Sequence, residues 1–455
     1  MSGAAAARFE QGLKRFVMIK PGEAAAVGWS FAYFFALLAG YYVLRPLRDQ
    51  MGIAGGVRNL PWLFTATFLT MLAVQPIYGA LVARFARSRF IPLVYHFFVA
   101  NIAIFWLLLT LGIARVQVAQ VFFVWISVFA LFAISVFWSF MADLYANEQS
   151  KRLFGLIAAG GTAGSLLGPV IALGLAGPLG PVNLLIIAGA LLEIAVFCIH
   201  RLEKAAARFA TAASAGARAR QPAEEGERSI GGNPLAGLAE LFVSPYLAGI
   251  AVWVSLLSLT GTILYLEQAN LVAAASHNAA TQTRIFAGID LAVAVMTLAL
   301  QAFASGRFIA RFGVAAAVAF QPAIFVLGFA ALAFAPTLAV VVTFQALQRT
   351  ANFAVSNLGR QILFTTVTRS EKYKAKNVID VVVFRGSDAL YGGVFSMLRG
   401  LGLGLASIAW LAGAAALGWL GLAVLLGKIG ERRAASADAA GAAEATGVPD
   451  TVGTP

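Results

Sequence analysis

Gly79-Ala-Leu-Val-Ala-Arg-Phe85 and Gly306-Arg-Phe-Ile-Ala-Arg-Phe312 are two versions of one short phrase, set 227 residues apart. Each closes a long apolar run. Glu148-x-x-Lys151 and Glu371-x-x-Lys374 follow later apolar runs at a nearly equal offset of 223. Two repeats at nearly one spacing, each at the equivalent place, read as a duplicated unit of the kind that builds membrane transporters. Runs of about 20 apolar residues cross a bilayer as helices. They fall at roughly 24–46, 60–83, 90–113, 118–144, 153–175 and 182–200, then at 245–272, 285–306, 314–335, 338–364, 377–398 and 401–427. The expected fold is therefore an all-α membrane protein with twelve transmembrane helices in two pseudo-symmetric six-helix bundles, 24–200 and 245–427.

Composition supports the membrane class. Only 12% of the 455 residues are charged and 60% are hydrophobic, whereas soluble domains carry about 25% charged residues. Mean hydropathy is +0.83. A transmembrane β-barrel alternates apolar and polar residues, so unbroken apolar runs exclude it. One cysteine, Cys198, leaves no internal disulfide and no cysteine-rich metal site. His96, His200 and His277 are too scattered for a zinc cluster, and no catalytic constellation or cofactor motif emerges. Gly160-Gly161-x-x-Gly164 is followed by no Gly-Lys-Ser/Thr and is no phosphate loop. The sequence reads as no enzyme.

The net charge of +13 points to topology rather than to nucleic acid, because basic residues concentrate on cytoplasmic loops. With both termini inside, the inner segments carry 24 of the 33 Lys and Arg and the outer ones only Arg45, Arg48, Arg58, Arg115, Arg284 and Arg399. Arg349, Arg360 and Arg385 lie within spans. A multi-pass protein of a bacterial inner membrane with cytoplasmic termini follows as the expectation. Residues 1–23 suit a surface-lying amphipathic helix, 201–244 a largely disordered cytoplasmic linker, and 428–455 a disordered tail.

The loop Gly79-Ala-Leu-Val-Ala-Arg-Phe-Ala-Arg-Ser-Arg89 resembles the signature that major facilitator superfamily proteins carry between helices 2 and 3, with Ala83 where an acid is usual. Gly155, Gly164 and Gly168-Pro169 resemble the helix-5 motif of that superfamily's antiporters, although Gly160, Gly164 and Gly168 at spacing four equally suit close helix packing. A narrower resemblance covers about a third of the chain. Tyr41-Tyr-Val-Leu-Arg-Pro-Leu-Arg-Asp49 is similar to helix 1 of the ATP/ADP translocases, the nucleotide exchangers of plastids and intracellular bacteria. Phe137-Trp-Ser-Phe140 with Glu148-Gln-Ser-Lys-Arg-Leu-Phe154 resembles their helix 4–5 connection. Arg360-Gln-Ile-Leu-Phe364 with Tyr373-Lys-Ala-Lys-Asn-Val-Ile-Asp-Val-Val382 resembles their helix 10–11 connection. The resemblance implies ATP/ADP exchange, places a functional lysine on Arg48 and a helix-7 glutamate on Glu267, gives Lys376 a site role, and puts the helix-4 glutamate near Ile126.

The residues themselves supply the candidate chemistry. An ionisable side chain in a span costs about 2.5–3.5 kcal/mol at a helix centre and is a default functional candidate. Gln345, Arg349, Asn352, Ser356 and Arg360 recur every three or four residues, as on one helical face. Asp380, Arg385 and Asp388 follow in span 11, Arg45 and Arg48 in span 1, and Glu193, Glu267 and Asp290 in spans 6, 7 and 8. Arginine grips phosphate or carboxylate in a bidentate fork. With few acids nearby, these arginines are expected to line a positive cavity for an anionic substrate, a nucleotide or phosphorylated metabolite; the alternative is internal pairing, Arg385 with Asp380 or Asp388 and Arg48 with Asp49. Trp29, Tyr33 and Tyr41 near one stripe of span 1 offer a stacking platform for a base, or ordinary interfacial packing. The candidate substrate-binding set is Tyr41, Arg45, Arg48, Glu267, Arg349, Arg360, Lys376, Asp380 and Arg385. Three readings stay open: a nucleotide exchanger, a proton-coupled carrier of another organic anion with Glu267 or Asp290 as proton carrier, and a non-transporting sensor or scaffold.

Overall fold

In the computed structural model of the chain, residues 23–84, 87–145, 147–216, 244–303, 305–367, 375–376 and 378–446 are described. The segments expected at 1–22 and 217–243, the end of the tail at 447–455, and Arg369, Lys372, Tyr373 and Lys374 lie outside them, as do the side chains of 77–90. The described residues hold helices and no strand. Span 1 is Ala24–Ala54, span 2 Leu60–Arg84, span 3 Arg87–Leu111, span 4 Arg115–Leu144, span 5 Asn147–Leu175 and span 6 Leu184–Gly216. Span 7 is Pro245–Ala275, span 8 Ala279–Phe303, span 9 Ser305–Phe334 and span 12 Leu405–Thr446. These ten contain stretches long and apolar enough to cross a bilayer.

Spans 10 and 11 are different. Span 10 runs as α-helix over Leu338–Ala351, widens to a π-helical segment at Asn352–Ser356, and returns to α-helix at Asn357–Leu363. Span 11 opens with a second π segment, Val378–Val383, before α-helix Phe384–Gly400. Such insertions break the four-residue register, and they concentrate at functional sites. Here they fall where the candidate charges lie.

Two expectations are corrected. Residues 201–216, read as the start of an irregular linker, continue the helix of span 6, and 428–446, read as disordered tail, continue span 12. Both stretches are alanine-rich, and alanine is the strongest helix former. Lack of an apolar stripe was a poor guide there, because a helix already nucleated can propagate through polar sequence.

Two compact units form. The first gathers Met1–Ser229 with Val272–Ala294, the second Ile230–Leu271 with Val295–Pro455. The end of span 7 and the start of span 8, expected in the second bundle, thus group with the first. Asp290 pairs with Arg45, and Ala287 is buried in the first unit's core.

Within the first unit, span 1 packs on spans 4, 5 and 6. Glycine makes the closest of these approaches possible: a Cβ at Gly160, Gly164 or Gly168 would strike the backbone of Phe31, Phe35 or Ala39 in span 1. The spacing-four ladder of span 5 therefore serves close helix packing. At one end of this seam Glu23, 2% exposed, accepts from both terminal nitrogens of Arg152 at 3.2 and 2.9 Å and from Gln149 at 3.0 Å. Beside it Ser30 and Tyr145 share a 2.8 Å hydrogen bond. Burial pushes the Tyr145 phenol up to about 12, against the Ser30 hydrogen bond and with the Glu23 charge.

In the second unit, span 9 packs on spans 10 and 12. Span 9 is broken at Gly313, whose φ of 80° and ψ of 177° interrupt the helix, and Glu431 of span 12 accepts from the Ala315 amide at 3.0 Å to cap the restart. The apolar run read from 314 begins at this break. An aromatic nest of Trp253, Trp419, Phe325 and Phe344 fills the centre.

Candidate functional site

In the first unit, Arg48 is stacked 4.0 Å over the Phe123 ring and donates to Asp49 at 3.2 Å. Arg45 lies 3.8 Å from Asp290 of span 8, beside the Tyr42 ring at 5.7 Å. Tyr41 packs edge-on against Tyr42 at 5.2 Å. The expected stacking platform is not assembled. Tyr33 is fully buried, bonded to Tyr95 at 2.7 Å, and Trp29 packs against Phe197. Glu193 pairs with His96 at 3.1 Å on an exposed face, away from these residues.

The second unit holds the larger polar constellation. Arg360 donates to Asp380 at 2.7 Å and to Asn357 at 3.1 Å. Lys376 donates to Gln361 at 2.6 Å and lies over the Phe364 ring. Arg349 ends the first segment of span 10 and is half-buried. It shares no simple stripe with Arg360, because the π segment intervenes. Ser356, within that segment, turns to span 9 instead, donating to the Ala317 carbonyl at 3.0 Å and accepting from the Gln321 amide at 3.2 Å.

Two networks escaped the sequence reading. A glutamine chain crosses the buried interior: Gln345 donates to Gln268 at 2.6 Å, Gln348 to Gln345 at 2.6 Å and Gln321 to Gln348 at 3.3 Å. It ties span 7 to spans 9 and 10. A hydroxyl seam ties span 7 to span 11. Ser258 and Thr262 both donate to one oxygen of Asp388, at 2.5 and 3.2 Å, and Ser255 meets Ser387 and Tyr391 at 2.9 Å each. The helical spacing of Ser255, Ser258 and Thr262 was the available signal.

The seam changes the standing of Arg385. Its guanidinium is 3.5 Å from the other oxygen of Asp388, 34% exposed, and makes no hydrogen bond among the described residues. Asp388 draws its close hydrogen bonds from span 7. Arg385 is thus held by charge while its donors stay uncommitted. Glu267 is the counterpart among acids: 0% exposed, with both carboxyl oxygens lacking a hydrogen-bond partner. The expectation of arginines without local acids is corrected, since Asp290, Asp380 and Asp388 lie beside Arg45, Arg360 and Arg385. Asp290 comes from a distant span, whereas Asp388 lies three residues from Arg385, the pairing the sequence offered as the alternative. Among the described residues no group of three His, Cys, Asp or Glu is placed to hold a metal.

Comparison with solved structures fixes the fold. A bacterial homologue of the iron transporter ferroportin, in an inward-facing state, superposes with a TM-score of 0.60 at 13% identity over 89% of this chain and 98% of that one. The nucleoside transporter NupG, as a D323A mutant, gives 0.58 at 15% over 90% and 99%, and the POT family transporter PepTSo 0.57 at 11% over 90% and 98%. The chain shares the all-α membrane fold of these three transporters. No protein-family model matches the sequence, and no curated protein does. The narrower likeness to ATP/ADP translocases finds no support among these neighbours.

Proposed function

We propose that the chain is a secondary active transporter that exchanges small phosphorylated anions, nucleotides or related metabolites, by alternating access. Arg385 carries this reading. A guanidinium stays charged at any accessible pH and presents five donors in a planar fork matched to phosphate and carboxylate oxygens. To place one in a membrane-spanning helix, charge-balanced but free of hydrogen bonds, is costly unless something else uses the donors. Arg360 and Lys376 add positive charge in the same unit, and Arg360 can trade Asp380 for a cargo oxygen. The resemblance of 360–364 and 373–382 to the nucleotide exchangers supports the phosphorylated class. The basic bias supports a reading with both termini in the cytoplasm and the helices in a bacterial inner membrane.

The test is uptake of labelled ATP, ADP and inorganic phosphate into proteoliposomes, with and without the same unlabelled compounds inside. Uptake that depends on internal anion is expected. No uptake of any of the three above protein-free vesicles overturns the reading.

A further inference from the structure

Spans 3 and 6 pack side by side in the first unit. His96 meets Glu193 across their outer surface at 3.1 Å, with 52% and 47% of the two side chains exposed. Both residues lie within apolar stretches, Ile91–Leu111 and Leu184–Ala205, that are long enough to cross a bilayer. His96 stands five residues from the nearer end of its stretch and Glu193 nine from the nearer end of its own, which is about 7.5 and about 13.5 Å along the helix axis. Lysine and arginine can snorkel over such distances, but histidine and glutamate are too short. The pair is therefore turned outward at hydrocarbon depth. Ionisable groups within spans almost always face the bundle interior or water, because hydrocarbon supplies no donor or acceptor. The exposed faces of spans 9 and 12 show the ordinary pattern, with Leu327, Trp410, Leu417 and Leu425. Something other than lipid tails must cover the pair.

We propose that spans 3 and 6 form the interface of a homodimer, in which His96 of each copy pairs with Glu193 of the other. A closed dimer of copies inserted in one sense has its twofold axis along the membrane normal. Such an axis, set between spans 3 and 6, lays span 3 of one copy on span 6 of the other and keeps every residue at its depth. Because His96 and Glu193 share a depth, the rotation sets each against its opposite and closes an alternating ring of bases and acids. The neighbours fit the same operation. The two spans run in opposite senses, so Ala100 and Ala190, both exposed, lie one turn to the same side of the pair. Leu93 and Phe197, also exposed, lie one turn to the other side. The rotation brings alanine to alanine, which lets the backbones approach, and leucine to phenylalanine, which fills the wider side. A foreign helix would need a matching acid and base of its own, whereas a second copy carries them by symmetry. The inference is independent of the transport reading.

The experiment labels each copy of the full chain at Ser436→Cys in a Cys198→Ala background. Copies are then counted by single-molecule photobleaching in phosphatidylethanolamine–phosphatidylglycerol vesicles. The chain otherwise unaltered is expected to bleach in two steps. His96→Leu combined with Glu193→Leu keeps an apolar face and should weaken self-association about tenfold or more. The decisive readout is complementation. His96→Glu alone and Glu193→His alone each set like charges across the interface and should be monomeric. Mixed, they should recover two-step spots with one label of each colour, since every base then faces an acid of the other copy. Single-step bleaching of the parent chain at every protein-to-lipid ratio overturns the proposal and leaves the face to lipid or to a different protein. So does a leucine variant that associates as tightly as the parent, or a mixture that stays monomeric although both variants melt as folded proteins. If either charge variant fails to insert, the leucine variant decides alone.

Discussion

Arg48 and Arg385 are the same residue type in membrane-spanning helices, yet their surroundings differ. Arg48 is stacked on Phe123 and bonded to its neighbour Asp49, an arrangement that uses its face and an edge for packing. Arg385 keeps its donors open beside an acid already served by span 7. Replacing Arg385 by glutamine should remove charge-assisted hydrogen bonds worth about 1.5–3 kcal/mol, which is a loss of tenfold or more in cargo affinity. Lysine should rescue only part of it, lacking the planar fork. Arg48→Gln should instead lower thermal stability and leave affinity within about threefold of wild type, a margin of under 1 kcal/mol. Competition binding and thermal melts on the purified variants separate the two. Equal affinity losses at both positions contradict the assignment. The types and positions of these charges were legible in the sequence. So were two of their partners, since Asp49 beside Arg48 and Asp388 three residues after Arg385 stood there as the alternative pairing; the hydroxyls of span 7 that hold Asp388 were not, because tertiary packing brings them there.

At the scale of the element, the apolar runs located the spans because bilayer thickness sets their length. The break in span 9 was legible too, as the run beginning at 314. The π segments of spans 10 and 11 were not, since widening a helix by one residue has no composition of its own and is set by what the side chains on either flank must reach. Arg349 and Arg360 therefore looked like neighbours on a stripe that the backbone divides. The glycine ladder of span 5 makes a sharp test of helix packing. Gly164→Leu has no room, because even a Cβ there meets the Phe35 carbonyl and the Ala39 amide of span 1. Backbone cannot yield as a flexible side chain does, so the cost should be at the upper end of, or beyond, the roughly 1–3 kcal/mol of overpacking. Gly174, with open space around it, is the control on the same helix, and Gly174→Ala should melt within a few degrees of wild type. Similar melting losses for the two would mean that the ladder does not set the approach of spans 1 and 5.

At the scale of the whole molecule, the charge distribution makes a claim about the membrane that is separate from any site. Twenty-four basic residues on segments assigned to one side and six on the other should orient the chain with both termini in the cytoplasm, as cytoplasmic loops retain lysine and arginine. The chain is convenient for testing this, because Cys198 is its one cysteine and is buried. In a Cys198→Ala background, Ala275→Cys places a thiol at the exposed end of span 7, and Ser436→Cys places one on the exposed continuation of span 12. The topology puts the first outside and the second inside. A membrane-impermeant maleimide added to intact cells should label position 275 and spare 436, and permeabilising the inner membrane should expose 436. Labelling of 436 from outside, with 275 protected, would invert the orientation and move the inner basic clusters to the external face. Labelling of both from outside would require an even number of crossings between them. The two halves would then run in a different sense from a twelve-span duplication, even though each helix stayed where its apolar run placed it.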